Sequence, residues 1–295
     1  MNIEPTKWFS CGDAELAWSE AGTGAPVLLV HGWPMHSQSW RRLAPLLTPF
    51  HRVIMVDLAG LGQSRFRATT DMRFEAHAAR LQAFVDEHLR EEFFCIASNT
   101  GGTVARHLAA RVPRLTRLVL LNTEIPHHRP PWIRVFQALF ALPGAAAVLS
   151  MLVRMPMFVR SRIGFGGSFK HLSMLDAEFY RLFIEPLQAP GAYRGGAMQY
   201  LRGIRWETVD ALEQLHATLR CQVRLVWGAD DPTFPLELAR AMCGQFEPAA
   251  QLFPIADARL LVHEERPDEV ARCALEFLAQ EAGWSASRAV PASGV

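Results

Sequence analysis

The sequence shows little charge bias, no paired cysteines and no long clean apolar run, and each lack removes a class of protein. Lys and Arg number 30 against 29 Asp and Glu, a formal net charge of +1. That leaves no basic footprint for nucleic acid and no acidic tail. The five cysteines, Cys11, Cys95, Cys221, Cys243 and Cys273, are odd in number and never in CxxC spacing. They read as reduced, mostly buried thiols, not as a disulfide framework or a zinc site. Gly22-Thr23-Gly24 is a turn and not a phosphate cradle, because no helix N-terminus follows it. No metal or organic cofactor is expected.

Met1 to Phe9 has no apolar core ahead of a small-residue cleavage site, so the expectation is a cytoplasmic protein without a signal peptide. The most apolar stretch, Phe136 to Val153, is broken by Gln137, Pro143-Gly144 and Ser150 and flanked by arginines. A spanning helix needs roughly 20 clean apolar residues. The stretch therefore reads as two short buried helices, with no membrane insertion. Monomer and dimer are both compatible with the chain.

What is present is ordinary globular material: 295 residues, 50% apolar and 20% charged. Strand and helix signals alternate at both ends. Ala14–Glu20 reads as an early antiparallel strand, and Val27–Val30, Arg52–Val56, Phe93–Ala97 and Leu118–Leu121 as further strands. Phe74–Leu89 and Gly102–Val112 have helical periodicity. From about Pro126 to Arg205 strand runs disappear, and short apolar helices take their place. Strand signals resume at Val223–Trp227 and Gln251–Phe253, with helices at Leu236–Phe246 and Pro267–Glu281. The fold class is α/β, with a mainly parallel central sheet flanked by helices. Residues 1–125 and 206–284 form its core, 126–205 an inserted helical cap, and 285–295 a disordered tail.

The motifs carry more. Phe93 to Ala97 is an apolar strand, followed by Ser98-Asn99-Thr100-Gly101-Gly102 opening a helix. That is the strand–turn–helix context of a nucleophile elbow, which lifts one strained residue above the sheet. Registering on the glycines puts Asn99 at the tip. His31-Gly32-Trp33-Pro34 follows a strand, as do Asp57-Leu58-Ala59-Gly60-Leu61-Gly62-Gln63-Ser64 and Gly228-Ala229-Asp230-Asp231-Pro232-Thr233-Phe234-Pro235. Val262-His263-Glu264-Glu265-Arg266-Pro267 leads into the last helix. In their order and spacing these segments resemble the oxyanion loop, the D-x-x-G-x-G-x-S loop, the acid loop and the final helix of the α/β-hydrolase superfamily. The closest likeness is to its haloalkane dehalogenase and epoxide hydrolase branch.

In that branch the resemblance implies an Asp nucleophile, an alkyl-enzyme ester and a His that activates water to hydrolyse it. Here Asn replaces the Asp. Its neutral amide orients a substrate or water but is a poor nucleophile. Counting back from Glu264-Glu265, the His slot falls on Leu260, with His263 three residues later. Asp231 and Glu124 each fall where the family places an acid. Otherwise Asp231 caps the following helix, and Glu124 forms a loop salt bridge.

The candidate catalytic set is thus Asn99, Asp231, Glu124 and His263. Trp33, Thr100 and His31 are the candidate substrate or oxyanion residues, the backbone N–H groups of Trp33 and Thr100 facing a substrate oxygen. His127 and His128 follow Glu124 closely and read as a hinge into the cap, and His36 lies near the oxyanion loop. Tyr180, Tyr193 and Tyr200 read as core residues of the cap. The cap's Phe, Leu and Met content suits a small hydrophobic or amphipathic ligand.

Three functions fit. One is non-covalent proton-transfer chemistry of the lyase, decarboxylase, cyclase or isomerase type. Another is a dehalogenase or epoxide hydrolase carrying an Asp-to-Asn change. The third is a non-catalytic binder of small ligands.

Overall fold

The computed structural model describes residues 3–175 and 177–280, so the expected tail at 285–295 lies outside the described residues. The strands are β1 (Lys7–Cys11), β2 (Ala14–Ala21), β3 (Pro26–Val30), β4 (Arg52–Val56), β5 (Arg65–Phe66), β6 (Phe93–Ser98), β7 (Leu115–Leu121), β8 (Gln222–Gly228) and β9 (Gln251–Ile255). They form one sheet in the order β1-β2-β4-β3-β6-β7-β8-β9, with β5 paired to β2. The pairings from β4 through β9 are all parallel. β2 runs antiparallel to its three neighbours.

The parallel centre follows from composition. β3 reads Pro-Val-Leu-Leu-Val and is buried along its whole length, as strands covered on both faces must be. Alternation then sorts side chains between two cores. Leu28, Val30, Ile54 and Val56 join one cluster, and Val27, Leu29, Val53 and Met55 the other. β1 and β5 carry no such signal. Lys7, Trp8 and Ser10 of β1 are exposed, and its pairing with β2 is what makes it a strand.

Helices α1 (Phe74–His88) and α2 (Thr100–Ala109) pack against each other beside the sheet. Between β7 and β8 the described residues contain no strand. This segment includes α3 (Pro131–Phe140), α4 (Ala145–Val153) and α5 (Ala192–Gly203), and α6 (Pro267–Leu278) later closes the fold. α5 seats on the loop after β4 through a glycine contact. A Cβ on Gly196 would meet the Gly60 carbonyl oxygen at 1.8 Å, so only glycine permits that approach.

The stretch expected to form two buried helices does form α3 and α4, but it is buried along one side only, through Phe140, Ala145, Leu149, Ser150 and Val153. Phe140 alone of α3 is fully buried, while Val135, Leu142 and Met151 are exposed. Helical period gives each helix one inward stripe, and the remaining apolar residues face out.

Candidate active site

β6 ends at Ser98 and α2 begins at Thr100, leaving Asn99 alone in the turn with φ 52° and ψ −138°. Few residues tolerate positive φ, and Asn does so more readily than most, yet this ψ is still a strained combination. The frame that holds it uses backbone atoms of Asn99 only. Its N–H donates to the carbonyls of Leu121 (3.2 Å) and Asn122 (3.0 Å). Its carbonyl accepts from the Gly102 N–H (2.8 Å) and the Thr123 hydroxyl (2.8 Å). Gly101 lies against the strand-end loop so closely that a Cβ would meet the His31 carbonyl oxygen at 2.3 Å.

Asn99 lines a cavity of about 120 Å³ together with Trp33, Thr100, Glu124 and Leu260. The inserted segment supplies the apolar roof, including Trp132, Phe136, Val153 and Phe158. The walls are largely apolar with a few convergent polar groups, the usual make-up of a small-molecule site.

Both expected oxyanion amides are already engaged. The Trp33 N–H donates to the Thr100 hydroxyl oxygen at 2.8 Å, and the Thr100 N–H donates to the Asn99 side-chain oxygen. The Asn99 amide nitrogen in turn donates to the Trp33 carbonyl at 3.3 Å. The hole that the sequence suggested for a substrate oxygen is filled by the chain's own carboxamide and hydroxyl. The Trp33 indole donates to the Ala197 carbonyl in α5 at 2.7 Å, which fixes its ring on the cavity wall. His31 is fully buried and tied to backbone, its Nε2 accepting from the Leu58 N–H at 2.9 Å and its Nδ1 3.1 Å from the Gly32 carbonyl. Burial pushes it down to about 4, and it does not line the cavity. The expected substrate role for His31 is thus replaced by a loop-holding one.

Glu124 does line the cavity and is 4% exposed. Its Oε2 accepts from the Thr103 hydroxyl at 2.8 Å and lies 3.0 Å from the Thr123 hydroxyl. Thr123 has one proton for two acceptors, this carboxylate and the Asn99 carbonyl. Burial raises the Glu124 pKa, opposed by the Thr103 bond and the nearby Arg106 cation. Arg106 lies fully buried below, and sequence reasoning missed it. It donates to the carbonyls of Gly102 (3.0 Å) and Glu124 (2.9 Å) and to the hydroxyls of Thr103 (3.1 Å) and Thr123 (2.9 Å). A further N–H faces the His216 Nε2 at 3.1 Å. The signal was available: an arginine among Val104, Ala105, Leu108 and Ala109 on a helix facing the sheet.

The other candidates lie elsewhere. Asp231 stands behind the wall, its oxygens accepting from the Asn122 side chain (2.9 Å) and the Thr233 N–H (2.8 Å), and burial raises it to about 7. His263 does not reach the cavity. Its ring packs on Trp40 at 4.5 Å, burial pushes it to about 3, and neither ring nitrogen has a partner among the described residues. His263, a catalytic candidate on its sequence position, thus stands apart from the cavity.

Leu260, the residue on which the sequence count places the His slot, lines the cavity wall. Its loop is stapled to the inserted segment by Glu265, which accepts from the amides of Lys170 (2.7 Å), His171 (3.1 Å) and Arg259 (2.8 Å). His127 is exposed beside Glu213 at 3.0 Å, His128 faces the Thr233 carbonyl at 2.8 Å, and His36 faces the Leu182 carbonyl at 3.1 Å. Tyr193 donates to the Pro34 carbonyl, Tyr200 to the Thr100 hydroxyl, and Tyr180 accepts from Gln188. None of these six lines the cavity. Among the described residues no group of three His, Cys, Asp or Glu side chains is placed to hold a metal, and no helix is long and apolar enough to cross a membrane.

Residues 25–267 match a family model described as alpha/beta hydrolase fold. The chain is 37% identical to a haloalkane dehalogenase of Mesorhizobium japonicum over 146 residues, 46% of this chain and 47% of that protein. It is 24% identical to haloalkane dehalogenase 2 of Mycobacterium bovis over 277 residues, 92% of this chain and 94% of that one. Among solved structures, an alpha/beta hydrolase fold protein from Burkholderia ambifaria superposes with a TM-score of 0.78 at 26% identity, covering 93% of this chain and 98% of that one.

Proposed function

The chain belongs to the α/β-hydrolase fold family, and within it we propose an enzyme that binds a small, mostly apolar molecule under its helical segment and moves a proton on it without a covalent intermediate. Among the described residues Glu124 is the one carboxyl lining the cavity, and that observation carries the reading. A carboxyl raised by burial and lining the same cavity as Asn99 has the environment of a general acid or base.

Three features speak against ester chemistry. Asn99 is a neutral amide, Leu260 stands in the base slot, and the oxyanion amides are engaged internally. Asn99 keeps a role as a donor. Its amide nitrogen carries two hydrogens and spends one on the Trp33 carbonyl, leaving the other for a ligand carbonyl or enolate oxygen. Glu124 then takes or returns the proton on the adjacent carbon. Arg106 sits behind Glu124 and acts through it as a positioning residue, holding the carbonyl of Glu124 and its threonine partners.

The test is hydrogen exchange. Small apolar ketones and thioesters are incubated with the chain in deuterated water, and exchange at the α-carbon is followed by NMR. Exchange that falls at least about 100-fold in Glu124→Gln supports the reading. Binding of the same compounds, seen in ligand line-broadening, without exchange by the unchanged chain would leave a binding protein instead.

A further inference from the structure

We propose that the outer face of α3, α4 and the short helix Pro156–Val159 docks on an anionic lipid surface. The surface is unusual in what it contains. Every exposed residue between Pro131 and Ile163 is apolar, glycine or arginine. Val135, Leu142, Met151, Met157 and Ile163 are each more than half exposed, Met157 to 79%. A soluble helix normally turns polar residues outward, with both signs of charge mixed. Here the exposed stripe of α4 is Ala147 and Met151, continued by Arg154 just past its end, and that of α3 is Arg134, Val135 and Ala138.

Charge identifies the occupant. From residue 125 to residue 175 the sequence has no Asp or Glu, while it carries six cations. Two of these are paired to the core, Arg129 with Asp210 and Lys170 with Asp230. Arg134, Arg154, Arg160 and Arg162 have no carboxylate within 4 Å among the described residues. Four uncompensated arginines interleaved with exposed methionine, leucine and valine match a leaflet that offers anionic headgroups above acyl chains. A second copy of this chain would bring the same four arginines against one another, so like charges oppose that occupant.

The same helices turn Ile133, Phe136 and Val153 inward to the cavity. The docking face and the ligand site are thus two sides of one thin layer, which meet at Arg162 and Ile163, exposed residues that also line the cavity.

The experiment is flotation of the full chain with phosphatidylcholine vesicles, with and without phosphatidylglycerol. The chain is expected to float with the anionic vesicles and to be released by salt. An arginine near an anionic surface contributes roughly five-fold in affinity, so Arg134→Gln with Arg160→Gln should weaken binding about 30-fold. Met151→Ser with Met157→Ser should also weaken it, in a salt-insensitive way. None of these four residues lines the cavity, and unchanged thermal unfolding checks that the variants fold. Glu124→Gln should float like the unchanged chain, which separates this inference from the reading of the cavity. No flotation, or flotation indifferent to both double variants, overturns the proposal. So does self-association that the Met151, Met157 pair abolishes, which would make a second copy the occupant.

Discussion

The backbone N–H of Trp33 donates to the side-chain hydroxyl of Thr100 at 2.8 Å, so the loop after β3 is closed on the elbow before any ligand arrives. The Tyr200 hydroxyl reaches the same oxygen at 3.1 Å. Thr100→Val keeps the shape and removes the acceptor, leaving a buried N–H and a buried O–H without a partner. Stability should fall by about 2 kcal/mol, read from urea unfolding. An unchanged midpoint would mean that neither donor depends on Thr100.

Asn99→Asp places a carboxylate in the same frame, because that frame holds backbone atoms. Incubated with haloalkanes, this variant should gain the mass of an alkyl ester and keep it, since Leu260 supplies no base. Adding Leu260→His should release the ester as alcohol at least about 100-fold faster. Intact-protein mass against time distinguishes the two. Release by the single variant would show that another group activates water.

Removing the buried cation has a different signature. Arg106→Met strips hydrogen bonds from the Gly102 and Glu124 carbonyls and should destabilise the chain by about 3 kcal/mol or more. Arg106 also lowers the Glu124 pKa, so its loss raises it. The limb of the exchange profile that needs ionised Glu124 should move to higher pH. A purely structural role would lower stability and leave that limb in place.

Asp231 gives a pH dependence with a definite sign. Burial raises its carboxyl from the ordinary 3.8 to about 7. Between those values the unfolded chain releases a proton that the folded chain keeps, so this group makes stability fall as pH rises across the window. Glu264, also raised to about 7, adds a slope of the same sign. Asp231→Asn should flatten the fall and leave the Glu264 part, as unfolding midpoints measured from pH 4 to pH 7 would show. A steeper slope in the variant would reverse the assignment.

Much of the architecture was legible because one physical signal repeated. Buried parallel strands need short runs of Val, Ile and Leu, and β3, β4 and β8 announce themselves that way. β1 was invisible because its exposed residues carry no alternation, and only its partner makes it a strand. At the site, Asn99 and Glu124 were readable from position, since one directly follows β6 and the other comes three residues after the end of the neighbouring parallel strand β7. His263 misled because sequence distance says nothing about which side of a loop a ring faces. Packing on Trp40 decided that. The internal closure of the two amides was not readable either, because it depends on side-chain rotamers of Asn99 and Thr100 meeting Trp33 across 66 and 67 residues of chain. The outward face of α3 and α4 was taken for core because apolar content alone does not tell which neighbours a helix will have.

The elbow's backbone frame carries an evolutionary consequence. Four of the bonds that fix residue 99 use its backbone, and its carboxamide adds only those to the Thr100 N–H and the Trp33 carbonyl, so folding constrains the side chain there less than the main chain. Asn-to-Asp is a single-base change in the genetic code, and Leu-to-His is one from two of the leucine codons. A lineage holding this scaffold therefore sits two point mutations from carrying both Asn99→Asp and Leu260→His. Descendants can drift between chemistries while the fold itself is inherited unchanged.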